Sequence, residues 1–494
     1  MKTRLFFVMV LGASLTMLVT PGAAAPPPET PEPPDGSTPQ YPLGQEFDEP
    51  LAKEYPFDLK DAVGQSIASV NPQGERIDIA VTGDDEMDPS VALCAYDQYL
   101  IAYVLDGEIY GQRLTSGGDL LGGPFLISGD SYEDTQPDVA CEWAYNRFVV
   151  VWRHNFGDSG DYDIRARGVY GGHQTSGSQL YGSELTVSDD EANEERPAIA
   201  CNINEHTCLV AFEYSGTGSG DIYAQRVSVG GSDISKDGDR FTISTYAAEE
   251  HNPDVAWGGH DDNYLVAWQY LHDDPSSHYR IVVSHVYDTE QGTGTEERQH
   301  VGAWLINPDE GSNRHQSVPA VAYSRDDQNY LVAFQYDYSG DGSDYDIRAR
   351  RYAGTGATTA SGLIYVASSF DDESSPAVAY SGGPEIWPGG LGADQFLVTY
   401  VRKETSAWSL YGQAVKGTQE GSGSQLEPDR QLLHSTFKAL GWGIMSPDVT
   451  GSINNGRYMV VWQYNTGGTV WDEDILGQLV APYTTYLSLI LRNY

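Results

Sequence analysis

The run YLVAW at residues 264–268 recurs as YLIAY (99–103), FVVVW (148–152), CLVAF (208–212), YLVAF (330–334), FLVTY (396–400) and YMVVW (458–462). The fifth position is aromatic in all seven copies and the third is Ile or Val in all seven. A strand with one face in water alternates apolar and polar residues. These copies do not alternate, since every position is apolar or small. Both faces of each strand must therefore be covered, seven times over.

Three further elements recur around each copy. Upstream is a proline-led strand, PSVAL, PDVAC, PAIAC, PDVAW, PAVAY, PAVAY and PDVTG, starting at Pro89, Pro137, Pro197, Pro253, Pro319, Pro376 and Pro447. Downstream is a third strand of the kind EIYGQRL or DIRARRY, and a shorter fourth of the kind FLIS or FTIS precedes the next proline. The prolines are 48, 60, 56, 66, 57 and 71 residues apart. Four short strands per unit and seven units spell an all-β, seven-bladed β-propeller of four-stranded antiparallel blades. A sandwich would wet one face of the repeated strand. IDIAV (77–81) has the form of a fourth strand but precedes the first unit, so an N-terminal strand is expected to complete the last blade and close the ring.

The proline-led strand, the Y-L-V-A-W strand and the D-I-Y-x-x-R strand resemble the repeats of TolB-like and related secreted bacterial propellers over about residues 77–480. The resemblance is architectural. It implies the fold and leaves activity open.

Lys2 and Arg4, the apolar stretch Leu5–Val19 and the small residues 22–25 read as a signal peptide over 1–25. Residues 26–60 read as a Pro-rich spacer, 61–482 as the propeller and 483–494 as a short tail of the kind that ends some exported bacterial proteins, or a plain terminal β-segment. This implies bacterial export, to the medium or the cell surface, with no transmembrane segment in the mature chain. Asp and Glu number 71 against 28 Lys and Arg, a net charge of −43, which argues against nucleic acid as a partner. Four cysteines in an exported chain favour disulfides. Cys201 and Cys208 would face each other across a hairpin, leaving Cys94 with Cys141.

Three sets of residues are candidates for chemistry. Three positions before the proline stand Glu86, Asp134, Glu194, Glu250 and Glu373, with Gln316 and Ile444 in the remaining units. These acids form either a ring at the channel mouth that attracts Ca²⁺ or a basic partner, or loop-shaping acceptors of turn N–H bonds. The matching turns DSGDYDIRAR and DGSDYDIRAR offer Asp158, Asp161, Asp163 and Asp341, Asp344, Asp346 as oxygen ligands for Ca²⁺, the one cofactor the sequence suggests. A column of Gln112, Arg167, Gln225, Arg350, Gln413 and Gln478 in the third strands is expected to hydrogen-bond between blades.

No H-E-x-x-H, G-x-S-x-G or phosphate loop is present, and the histidines lack metal spacing. The expectation is a monomeric, non-catalytic binding or scaffold propeller whose acidic loop face takes a cation, a glycan or a protein. The alternative is a hydrolase or lyase acting on extracellular polysaccharide with carboxylates at the channel mouth. A unique site would lie in the deviant units, near Trp387, Trp408 and Trp442 or in the His-bearing fourth unit.

Overall fold

The computed structural model describes residues 68–484 with interruptions, the longest at 288–299, 306–313, 355–362, 383–394, 418–430 and 466–472. The signal peptide, the spacer and the last ten residues lie outside the described residues. Among those described, 28 strands form seven four-stranded antiparallel sheets. Blades 1 to 6 comprise residues 86–126, 134–188, 194–244, 250–305, 316–367 and 372–437. Blade 7 takes three strands from 444–484 and its outermost strand, Ala68–Ala80, from the start of the described chain. The innermost strands neighbour one another in order, and that of blade 7 returns to that of blade 1. The ring is thereby closed.

The missing alternation has a direct structural cause. Tyr264 to Trp268 are all 0–1% exposed. Tyr264, Val266 and Trp268 pack towards blade 3, beside Leu209 and Ala211. Leu265 and Ala267 face the other way, onto Tyr330, Val332 and Phe334 of blade 5. The strand alternates between two neighbours, not between protein and water. Each large side chain buried in this way contributes about 1.5–3 kcal/mol.

Closure uses the expected exchange, with a longer strand than IDIAV. Ala68–Ala80 pairs with the third strand of blade 7, Glu473–Thr484, from Ala68 opposite Thr484 to Ala80 opposite Ile475. Ile79 (5% exposed) then packs with Ile475 and Leu479, so the first described strand helps to cover the last.

Every innermost strand breaks register just before its proline, as between Met87 and Ser90 in blade 1. The residue preceding the proline is left-handed in all seven blades, with φ between 44° and 54°. This bulge frees an amide that a side chain of the preceding blade satisfies. Asn252 N donates to Glu213 Oε1 (2.6 Å), Val318 N to Gln269 Oε1 (3.3 Å), Ser375 N to Gln335 Oε1 (3.0 Å) and Asp88 N to Gln463 Oε1 (3.2 Å). In these four blades the acceptor follows the aromatic residue of the repeated strand.

A second set of bonds joins the innermost strands at the residue after the proline. Asp138 Oδ2 accepts from Ile199 N (2.7 Å), Asp254 Oδ2 from Val321 N (2.6 Å) and Asp448 Oδ2 from Val91 N (2.7 Å). Each Asp thus reaches the next blade, and its other oxygen accepts the amide of its own neighbour at 2.8 Å. Burial, with Asp138 nearby, pushes the Asp254 and Asp448 carboxyls up to about 7.

Two predictions follow from these stitches. A folded-state value above the unfolded one, about 4 for Asp, gives stability that is full below about pH 4 and is lost as pH rises through about 7. The melting temperature is therefore expected to fall from pH 5 to pH 8.5, and more steeply in the wild type than in an Asp254→Asn, Asp448→Asn double variant. Equal slopes would dismiss the two carboxyls as the source. Separately, Val318 is β-branched at φ 49°, a conformation costing about 1–3 kcal/mol outside glycine. Val318→Asn should raise stability by about 1 kcal/mol in urea unfolding, and a loss would show that the valine methyl groups matter more than the backbone strain.

Candidate functional site

The innermost strands enclose a channel that runs from their starts, at the upper face, to their ends, at the lower face. Three rings of side chains grade it. At the upper rim the left-handed residues Asp88, Gln136, Arg196, Asn252, Val318 and Ser446 surround a cavity of about 560 Å³ that also holds the stitching aspartates, and blade 6 lines it from Pro376 onward. Below it, the second residue after each proline forms a collar of Val or Ile: Val91, Val139, Ile199, Val255, Val321, Val378 and Val449, each 5–9% exposed. Beneath the collar opens a lower chamber of about 500 Å³ with an aromatic lining.

The five acids expected at the channel mouth do not face it. Glu86, Glu194, Glu250 and Glu373 are 0% exposed and Asp134 is 1% exposed. Each sits at the first residue of an innermost strand, or the second in the case of Glu373, and turns into its own blade. Glu194 accepts from Ser188 Oγ (3.0 Å), and Glu250 accepts from Ser244 Oγ and from the Trp268 indole (2.8 Å). Arg402 Nε donates to Glu373 (2.9 Å), and His154 Nδ1 lies 2.7 Å from Asp134. The Ser or Thr partner belongs to the segment arriving from the previous fourth strand, so these acids fasten the blade-to-blade crossover. Burial pushes Glu250 up to about 7. Sequence spacing located the position correctly but could not tell inward from outward, because a bulge follows immediately.

The aspartate turns are also spent locally. Asp341 folds onto Ser339 and Ser343 of its own turn, and Asp346 lies 3.4 Å from Arg348. In blade 2, Asp163 lies 2.9 Å from Arg165, while Asp158 lies outside the described residues. Asp161 and Asp344 each keep one buried oxygen without a hydrogen-bond partner among the described residues. Among the described residues, no three His, Cys, Asp or Glu side chains are placed to hold a metal ion.

Gln112 and Gln225 of the expected inter-blade column bond within their own blades. Gln112 Nε2 donates to Arg113 O (2.9 Å) and Gly122 O (3.5 Å), and Gln225 Nε2 to Arg226 O (2.9 Å) and Gly238 O (3.0 Å). These amides fill the gap where the third and fourth strands slip register. Both disulfides have the expected partners. Cys94–Cys141 joins the lower ends of the innermost strands of blades 1 and 2, and Cys201–Cys208 closes a hairpin in blade 3. Trp408 packs against the blade 6–7 core, and Trp387 and Trp442 lie outside the described residues.

A charged cluster stands at the upper face where blades 3 and 4 meet. Glu213 stands where three other blades place Gln, and it receives Arg196 Nη1 (2.7 and 2.9 Å) and His251 Nδ1 (3.0 Å) besides the Asn252 amide. Burial opposes its charge, yet His251, Arg196 and that amide together hold its carboxyl below the usual range. The hydrogen bond to Glu213 in turn raises His251. His251 Nε2 lies 3.7 Å from Glu249, which accepts from Tyr279 OH at 3.0 Å.

No protein-family profile matches the chain, and no curated protein matches it. Similar solved structures include the β-propeller domain of the Trilobed protease from Pyrococcus furiosus, at 10% identity, with 84% of this chain and 99% of that one covered and a TM-score of 0.43. The WD40 domain from Toxoplasma gondii coronin is 9% identical over 85% of this chain and 88% of that one, with a TM-score of 0.44. The α-L-arabinofuranosidase Arb93A from Fusarium graminearum is 10% identical over 67% of this chain and 93% of that one, with a TM-score of 0.40.

Proposed function

We propose that the chain is an extracellular binding propeller without catalytic activity, whose ligand surface is the upper rim of the channel. One observation supports this reading above the others. Seven backbone positions share a left-handed conformation and a following proline, yet they carry six different side chains: Asp88, Gln136, Arg196, Asn252, Val318, Ser375 and Ser446. Scaffold positions in the same blades are near-uniform, as the Val/Ile collar is. Left-handed backbone at non-glycine residues is costly, and such strain gathers at functional sites. A regular backbone presenting irregular polar groups to one cavity is the layout of a recognition surface for a glycan or a protein segment.

The five acids that precede the prolines, which the hydrolase reading would use, are turned into the blades and shielded from water, and the cavity aspartates Asp138, Asp254 and Asp448 are engaged by amides of the next blade. Two disulfides suit an oxidising compartment. Calcium belongs to this reading only at the aspartate turns.

The test is a binding screen of the full chain against immobilised glycans and extracellular matrix or envelope proteins, repeated with a Gln136→Ala, Asn252→Ala variant. A ligand whose affinity drops about tenfold or more in the variant, with an unchanged melting temperature, supports the rim. Release of reducing ends from any polysaccharide in the screen would instead establish the hydrolase. Melting in excess calcium chloride and in EDTA tests the cation separately. A calcium-dependent rise that disappears in Asp341→Asn, Asp344→Asn puts an ion at the blade 5 turn, and no rise removes calcium from the proposal.

A further inference from the structure

The lower chamber differs in chemistry from everything above the collar. Three successive blades place an aromatic residue at the fourth position after the proline: Trp257, Tyr323 and Tyr380. Trp143 of blade 2 joins them across the opening. The rings are not loose. Trp257 rests on the blade 3–4 core, Trp143 on the blade 1–2 core, and Tyr323 on Tyr330 with ring centroids 4.8 Å apart. Each therefore has one supported face and part of its surface open.

Polar groups stand beside these platforms. Arg325, on the turn after the innermost strand of blade 5, lines the chamber. The neighbouring Asp326 accepts from Tyr380 OH at 2.7 Å and is exposed, leaving its other oxygen available. The Trp257 indole N–H is buried and meets no acceptor among the described residues. Blade 7 contributes Gly451, where a Cβ would lie 2.0 Å from the Tyr380 carbonyl oxygen, so no side chain fills the space beside Tyr380.

We propose that this chamber is a second binding site, separate from the upper rim, and that it takes a neutral sugar residue of an oligosaccharide. A pyranose or furanose ring presents C–H groups to an aromatic face and hydroxyls around its edge. The chamber offers rigid aromatic faces with a guanidinium and a carboxylate at their margins, which matches that division. Its volume of about 500 Å³ is that of a small-ligand site. A purely apolar ligand would leave Arg325 and Asp326 unused. A polyanion would meet Asp326 and a chain of net charge −43.

Titration of the full chain with cello-, malto-, xylo- and arabino-hexaose, followed by tryptophan fluorescence and calorimetry, tests the site. At least one of these is expected to bind with a change in tryptophan emission. Arg325→Ala and Asp326→Asn are exposed and should keep the melting temperature while weakening binding about tenfold or more. Trp257→Phe should weaken it and remove part of the emission change. Gln136→Ala, Asn252→Ala should leave it unchanged, which separates this site from the upper rim. The proposal is overturned if none of the four binds, if binding survives the Arg325 and Asp326 changes, or if only the hydrophobic dye anilinonaphthalene sulfonate occupies the chamber.

Discussion

The structure depends on the contact between one blade's repeated strand and its two neighbours. A four-stranded sheet of this size cannot stand with an apolar strand bare on either side. Tyr264, Val266 and Trp268 need blade 3, and Leu265 and Ala267 need blade 5. The same demand at every copy forces the blades into a ring, because a stack with ends would expose two faces. The strand Ala68–Ala80 then completes the blade that would otherwise lack its outer edge.

Packing alone leaves rotation and slip between blades undetermined, and the polar bonds restrict both. In four blades the bulge before the proline turns an amide towards the preceding blade, where Gln269, Gln335, Gln463 or Glu213 accepts it. Three aspartates reach in the opposite direction, to the following blade. Where the blade 6–7 seam lacks such an aspartate, Ser381 Oγ donates to Ser452 O (2.7 Å) and Tyr458 OH to Gln395 O (2.8 Å). The many acids of this chain are therefore of two kinds. Some stay on the surface and set its net charge, while Glu86, Glu194, Glu250 and Glu373 are interior fastenings.

The fold was legible because its signal is redundant. Seven copies of one apolar strand and seven prolines at similar spacing leave few architectures, and the Cys201–Cys208 pairing followed from the same register, with Cys94 and Cys141 as the remaining pair. The site was not legible. Glu250 and Asn252 are two residues apart, yet one is sealed inside the blade and the other lines the channel. A regular strand would send both to the same side. The left-handed residue between Met87 and Ser90 and its six counterparts cancel that parity, and only glycine, which is absent there, would have marked it. Trp143, Trp257, Tyr323 and Tyr380 went unnoticed for a related reason. They belong to the scaffold strands and their turns, and nothing in their local sequence separates a ring on the channel from a ring in the core.

The sequence by itself determined the number of blades, the strands within each, the closing exchange and the burial of both faces of YLVAW, since these follow from period and hydropathy, which are local and repeated. Tertiary structure decided which polar groups meet water. Whether an acid becomes a ligand or a fastening depends on a bulge of one residue and on what the next blade places opposite it, and those partners lie about sixty residues away in the chain.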